Sequence, residues 1–387
     1  MTPGACLLEL RDLVVERGGR RVLDVPSFRL AEGELVALIG PNGSGKSTLL
    51  LSAMGLVERS AGLVLHRGRE VPAGAAGLQT RRKLAMVLQE PLLFDATVED
   101  NVAAGLRLRG VGRAETRRRV AAYLDRFHLA HLADRPARRL SGGEARRVSL
   151  ARALVVEPEV IFLDEPFANL DLPTRQAITD DLERTVRAAG IAAVLVTHDP
   201  AEALRLADRV VVMHGGEVIQ SDTPAAVLNH PVNEYVAGCV GMETVVEGVV
   251  RERAGWQLVV SAGGQEIHAV GEAAPGDAVH LCVRPENVVI EVADPSGRSS
   301  ARNVYAAHVA GVARVGPYLK LELRCGFPLV AYVTRESYAG LGLSAGRAVY
   351  ASFKATAVHV IRRSAAPATA AASPAPPRSA PAPRGAA

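Results

Sequence analysis

The run Gly40-Pro41-Asn42-Gly43-Ser44-Gly45-Lys46-Ser47-Thr48 sets glycines, one lysine and hydroxyls at the spacing of a phosphate-binding loop. Its glycines let backbone N–H groups converge on a β-phosphate, and the helix that follows adds the positive end of its dipole. Lys46 is placed to reach the β- and γ-phosphates, and Ser47 to offer its hydroxyl to Mg²⁺. Two carboxylates, Asp164 and Glu165, end the apolar run Val160-Ile161-Phe162-Leu163. An acid at a strand end beside a phosphate loop can hold Mg²⁺, directly or through water, and Asp164 is read that way. Glu165 is then placed to orient and polarise an attacking water.

His198 follows a third apolar run, Ala193-Val194-Leu195-Val196. A lone histidine needs no functional explanation, but at the C-terminal edge of a sheet a γ-phosphate contact becomes a second reading. Gln89 follows Ala85-Met86-Val87-Leu88 and could sense Mg²⁺ or water. In Ser141-Gly142-Gly143-Glu144, Ser141 can cap a helix while Glu144 closes a capping box. Two glycines just inside a helix cost roughly 0.8–1 kcal/mol each relative to Ala. Bare backbone there also lets an anion approach the spare amides, and the cap and the anion site are compatible.

The elements that must hold these groups are legible as patterns. Residues 7–15 and 22–39 read as strands, and Val36-Ala37-Leu38-Ile39 runs straight into the phosphate loop. Apolar runs polar only at their ends suit interior strands covered on both faces. Between them, about 97–135, Val120, Tyr123, Leu124 and Phe127 recur at helical spacing in an inserted helical region. From about 244 the period becomes two, clearest in Leu319, Leu321, Leu323 and Cys325 against Lys320, Glu322 and Arg324. The expected organisation is an α/β nucleotide-binding domain over 1–240, with a helical subdomain at about 90–155, and a small all-β, barrel-like domain over 244–363. The Ala- and Pro-rich tail, 364–387, is expected to be disordered.

With 387 residues, 48% apolar but only 4% aromatic, the cores must be built from Leu, Val, Ile and Ala. A net charge of +4 is small, and Arg81-Arg82-Lys83 and Arg117-Arg118-Arg119 read as solvated surface, so no nucleic-acid partner is expected. Cys6, Cys239, Cys282 and Cys325 are too scattered for a zinc or disulfide framework and suit a reducing compartment. Neither a secretory leader nor a membrane-spanning run is expected, so any link to a membrane goes through another protein.

In this order, the motifs over residues 5–240 resemble the ATP-binding subunit of ABC transporters. The resemblance makes 40–47 the Walker A loop, Gln89 the Q-loop glutamine, and Leu140-Ser141-Gly142-Gly143-Glu144 the signature. Asp164 ends Walker B with Glu165 as catalytic base, Asn169-Leu170-Asp171 is the D-loop, and His198 is the switch histidine. It implies ATP and Mg²⁺. With one copy of each motif, it also implies a head-to-tail homodimer in which Ser141, Gly142, Gly143 and Asp171 serve the facing copy. An integral-membrane permease would dock near Gln89, placing the protein at the cytoplasmic face of the inner membrane. Two positions depart from the family: Glu144 stands where Gln is usual, and Arg17 where an aromatic usually stacks on adenine.

The β region resembles the TOBE modules of importer ATPases, with Val283-Arg284-Pro285-Glu286 as one element. Its end resembles oxyanion-binding units of molybdate and tungstate importers. The candidate oxyanion residues are Ser300, Arg302, Asn303, Ser352, Lys354 and Ala355, with Thr334-Arg335-Glu336-Ser337 nearby in the pattern. Small hydroxyls, backbone amides and cations suit a tetrahedral dianion. Sensing of the imported anion and simple dimerisation both remain open for this region. The reading is an ATPase driving molybdate or tungstate import, working indirectly with an extracytoplasmic oxyanion-binding protein. The alternatives are another solute (sulfate, a sugar or iron) and, further off, a soluble ATPase acting on ribosomes or nucleic acid.

Overall fold

The computed structural model describes residues 5–72, 77–295 and 299–363. The expectation of disorder for the tail lies outside these residues. The chain divides into two compact units at Glu243/Thr244.

The first unit opens with β1 (Cys6–Arg17), β2 (Arg20–Ala31), β3 (Leu35–Ile39), α1 (Lys46–Ala53), β4 (Ala61–His66) and β5 (Arg69–Glu70). It continues through α2 (Leu78–Arg81), β6 (Leu84–Val87), α3 (Val98–Leu108), α4 (Arg113–Arg126), α5 (Gly142–Leu154) and β7 (Val160–Asp164). It closes with α6 (Leu172–Ala189), β8 (Ala192–Val196), α7 (Pro200–Leu206), β9 (Arg209–His214), β10 (Glu217–Asp222), α8 (Pro224–Asn229) and α9 (Glu234–Cys239).

One sheet is antiparallel, in the order β2-β1-β4-β5, and the other runs β10-β9-β3-β8-β7-β6. In the second, β9, β3, β8, β7 and β6 are all parallel, with β10 antiparallel at the edge. Every residue of β3 and β8 is buried, as their unbroken apolar composition requires of strands covered on both faces. One core joins Leu8, Leu10 and Leu13 of β1, Leu49 and Leu50 of α1, and Leu38, Phe162 and Val194 of the parallel sheet.

The helical insert is α3 to α5. Thr97 caps α3 by accepting from the Asp100 N–H, and α4 buries Thr116, Val120, Tyr123 and Leu124. The arginine run on α4 is only partly free solvated surface. Arg118 and Arg119 both bind Glu115, whose carboxyl they pull down to about 2, and Arg119 also bridges to Glu157.

The second unit comprises β11 (Thr244–Ala254), β12 (Gln257–Ala262), β13 (Gln265–Val270), β14 (Ala278–Val283), β15 (Val289–Glu291) and β16 (Asn303–Val315). Then come β17 (Tyr318–Arg324), β18 (Pro328–Thr334), α10 (Arg335–Gly340), β19 (Ala348–Phe353) and β20 (Val358–Arg362). The barrel-like region takes the form of two five-stranded antiparallel sheets, β13-β12-β11-β14-β20 and β15-β19-β16-β17-β18. The last strand returns to the first sheet, pairing with β14, and Val260, Leu281, Leu321 and Ala351 lie in one shared core. Alternation in β17 buries Leu321 and Leu323, while Leu319, near the hairpin end, is only partly covered.

Candidate functional site

Parallel pairing brings distant segments to one edge of the sheet. Leu38 of β3 lies level with Val196 of β8, which lies level with Asp164 of β7, and Val87 of β6 lies level with Leu163. The phosphate loop, Asp164-Glu165, Thr197-His198 and Gln89 therefore all leave the sheet at its C-terminal edge, where open α/β sheets bind ligands. The Glu165 N–H donates to the Val196 carbonyl at 3.0 Å, and the Thr197 N–H to the Leu38 carbonyl at 3.3 Å. These bonds carry the strand register into the loops.

The loop itself is tightly built. A Cβ on Gly40 would stand 2.3 Å from the Met213 carbonyl oxygen and 2.9 Å from Ser44 Oγ, so only glycine fits. Lys46 Nζ donates to the carbonyls of Gly40 and Pro41, each at 2.8 Å, folding the ammonium over the loop. Burial pushes the Lys46 pKa down, against the opposing pull of Glu165 and Asp164. The Ser47 hydroxyl hydrogen-bonds the Asp164 carboxylate; burial, the larger influence, holds that carboxyl above its ordinary range. Ser44 is buried beneath the loop, its Oγ without a partner among the described residues.

A cavity of about 410 Å³ is lined by Asn42, Gly43, Gly45, Lys46, Ser47 and Thr48 together with Asp164, Glu165, Gln89, Arg17 and Val22. Among the described residues no aromatic lines it, and Arg17 stands in the wall as its position in the sequence suggested. This donor set fits a magnesium-bound triphosphate: amides and an ammonium for the phosphates, and a hydroxyl beside a carboxylate for the ion.

A neighbouring cavity of about 660 Å³ adds Gly40, His198, Asn169, Arg175, Thr197 and Glu202 to Gln89 and Glu165. Gln89 Nε2 donates to Glu165 Oε2 at 3.2 Å, and His198 Nδ1 stands 3.5 Å from the same oxygen. Glu165 occupies the left-handed region, φ 45°, a conformation costing roughly 1–2 kcal/mol for a residue with a Cβ. Its carboxylate is largely buried, whereas His198 is 64% exposed.

Ser141, Gly142, Gly143 and Asp171 line neither cavity. Ser141 caps α5 in a complete capping box, accepting from the Glu144 N–H at 3.3 Å. The Glu144 carboxylate accepts from the Ser141 N–H at 2.7 Å and from its hydroxyl at 2.8 Å. A Cβ on Gly142 would meet nothing within 4 Å, while one on Gly143 would stand 2.9 Å from Thr174 Cγ2. Gly143 thus has a packing reason of its own. Asp171 caps α6, accepting from the Thr174 N–H at 3.0 Å.

In the β unit a cavity of about 470 Å³ gathers Ser300, Arg302, Lys354 and Ala355 with Arg253, His268 and Glu252. Asn303 and Ser352 are not in its wall. The Asn303 amide is spent on β13: Oδ1 accepts from the His268 N–H at 2.8 Å, and Nδ2 donates to the His268 carbonyl at 2.9 Å. It supplies the partner that the edge strand lacks. Ser352 is buried in β19. Both depart from the expected oxyanion set and stand apart from the cavity: Asn303 lies on the buried face of β16 with Tyr305 and Ala307, whereas Ser352 is covered on the face of β19 opposite the core residues Ala351 and Phe353.

Reading the sequence missed Arg175, Thr197, Glu202 and Arg146. Glu202 had a signal, since Asp199 and Pro200 mark a helix start and Glu202 falls in its first turn. Arg146, nearly fully buried in α5, donates to the carbonyls of Leu88 and Gln89, and nothing local in the sequence announces that reach.

The ABC transporter family profile matches residues 23–168, and the TOBE domain profile residues 299–360. The molybdate/tungstate import ATP-binding protein WtpC of Pyrococcus horikoshii is 39% identical over 86% of this chain and 94% of its own length. The chain belongs to the ATP-binding subunits of ABC transporters. Its reaction is ATP hydrolysis with Mg²⁺. Within the same ABC family, the Fe(3+) ions import ATP-binding protein FbpC of Streptomyces coelicolor is equally similar, 39% identical over 82% of this chain and 90% of its own length. Among solved ABC structures, cbiO1 of Clostridium perfringens, part of the ABC transporter complex cbiONQ, is 31% identical. It matches with a TM-score of 0.55 over 62% of this chain and 96% of its own. Among the described residues, no helix of this ABC subunit is long and apolar enough to cross a membrane.

Proposed function

We propose that the chain powers import of molybdate or tungstate as one of two copies facing head to tail at the cytoplasmic side of a membrane permease. An extracytoplasmic binding protein delivers the anion to that permease. In each copy the amides of 42–48 and Lys46 bind the phosphates, and Ser47 and Asp164 hold Mg²⁺. The ion, when bound, neutralises charge on the transferred phosphoryl group. Glu165 polarises the attacking water, Gln89 and His198 orient its carboxylate, and His198 is free to meet the γ-phosphate. Ser141, Gly142, Gly143 and Asp171 of one copy complete the cavity of the other.

The observation that carries the solute is the cavity of the β unit, where, among the described residues, Arg253, Arg302 and Lys354 outnumber the one carboxylate, that of Glu252. A tetrahedral dianion suits that surplus of donors, whereas a ferric ion favours anionic oxygen ligands. The likeness to the Pyrococcus protein supports the same choice. The only tryptophan, Trp256, is exposed beside cavity residues Ala254 and Gln257 and serves as a reporter. Titrating the full chain with molybdate, tungstate and sulfate while following Trp256 fluorescence should give saturation with the first two. Uptake by the chain assembled with its permease in vesicles should follow the same order. Preference for sulfate or iron in uptake would reassign the solute, and a flat titration would remove anion binding from this unit.

A further inference from the structure

Arg175 and Glu202 flank the catalytic cavity without any role in the motifs that define it. Arg175 lies one turn inside α6, and its Nη2 donates to the carbonyl of Leu170 at 3.4 Å, just before the Asp171 cap. Its Nη1 stands 3.5 Å from Asp199 Oδ2 and 3.8 Å from Glu202 Oε1. The Nε is buried with no acceptor among the described residues, so every polar contact of this guanidinium found there goes to the 168–171 loop or to the segment following His198. Glu202, in the first turn of α7, accepts from the Thr197 hydroxyl at 2.6 Å. That same Thr197 Oγ1 accepts from the Asp199 N–H at 3.0 Å. His198 therefore sits between two residues that are each tied down, while its own ring is mostly exposed.

We propose that Arg175 and Glu202 are positioning residues for hydrolysis, a latch that locks the His198 loop in register with the loop of Asn169, Leu170 and Asp171. Thr197 and Asp199 hold His198 at both backbone sides, and the guanidinium bridges from Asp199 and Glu202 to Leu170. A displacement of the 169–171 loop is thereby passed to His198 through one side chain. A lysine cannot replace this bridge, because a single ammonium lacks the planar fork that serves a carbonyl and two carboxylates together. Burial pushes the Glu202 carboxyl up, the Thr197 hydroxyl opposing; Asp199 adds to the rise, while Arg175 and His198 counter it. The bridge is worth most where these acids are ionised.

The proposal rests on hydrolysis occurring at the Glu165–His198 cavity and is independent of the solute. Its test is steady-state ATP hydrolysis by the full chain, with thermal melting of each variant. Arg175→Met should lower kcat by about tenfold or more while the ATP KM stays within about twofold, the split expected of lost positioning. Arg175→Lys should recover less than half of the lost rate. Glu202→Gln, which retains an acceptor for Thr197 but not the charge, should lower kcat by a few fold at unchanged KM; it decides the matter should Arg175→Met fail to fold. Wild-type kcat in Arg175→Met, or in Glu202→Gln where the former does not fold, overturns the latch. So does a parallel change in KM and kcat that follows melting temperature. Glu165→Gln is the control: if it hydrolyses ATP normally, the cavity assignment itself fails, a separate result from failure of the latch.

Discussion

Arg146 ties the helix capped by Ser141 to the backbone of Gln89. From α5 its guanidinium donates to the Leu88 carbonyl at 2.8 Å and to the Gln89 carbonyl. Arg152, further along α5, repeats the device on the carbonyls of Pro91 and Leu92 at 2.9 and 3.0 Å. The helix that presents Ser141 and the loop that carries Gln89 are thus one mechanical piece. Arg146→Met should remove two charge-assisted bonds and strand two carbonyls, costing about 3 kcal/mol in urea unfolding. Arg152, less enclosed, should cost less than half as much on replacement by Met.

Glu165→Gln keeps the shape of the side chain and an acceptor for Gln89 but removes its basicity. ATP binding by the full chain should stay within a few fold of wild type, while kcat should fall by about a hundredfold or more, the usual worth of a general base. Equilibrium nucleotide binding and single-turnover hydrolysis measure the two separately.

The capping box at Ser141 makes a pH prediction. Bonds from the Ser141 N–H and hydroxyl hold the Glu144 carboxyl below its ordinary range. A folded-state pKa below the unfolded one contributes stability that is present above the unfolded value, near 4.3, and is lost as pH falls through the folded value. Glu144→Ala should therefore cost about 1 kcal/mol at neutral pH. That gap should close only well into acid, as denaturation curves across a pH series would show.

In the β unit, cavity and core residues should separate cleanly. Lys354→Ala should leave basal ATP hydrolysis intact and weaken the Trp256 response to tungstate by tenfold or so, as loss of a charge-assisted contact implies. Asn303→Ala should instead destabilise the protein by about 2 kcal/mol, because it strands the His268 N–H and carbonyl. Titration and thermal melting of both variants check the contrast.

The amino-acid sequence by itself determined what is local. The glycines of 40–45, the order Lys46-Ser47, the pair Asp164-Glu165 and the Ser141–Glu144 box each act within a few residues, so spacing along the chain carries their geometry. Unbroken apolar runs announced β3, β7 and β8 for the same reason. Tertiary structure alone decided which of these groups meet. Hydrogen-bond register between parallel strands is set by pairing across long stretches of chain, and only that register lays Val87 beside Leu163, and Asp164, Val196 and Leu38 side by side. From it follow the meeting of Gln89, Glu165 and His198, and the approach of Arg175 to Asp199 and Glu202. The same dependence on long-range pairing explains Asn303, whose residue type suited an anion site until β13, exposed at its sheet edge, took up its amide.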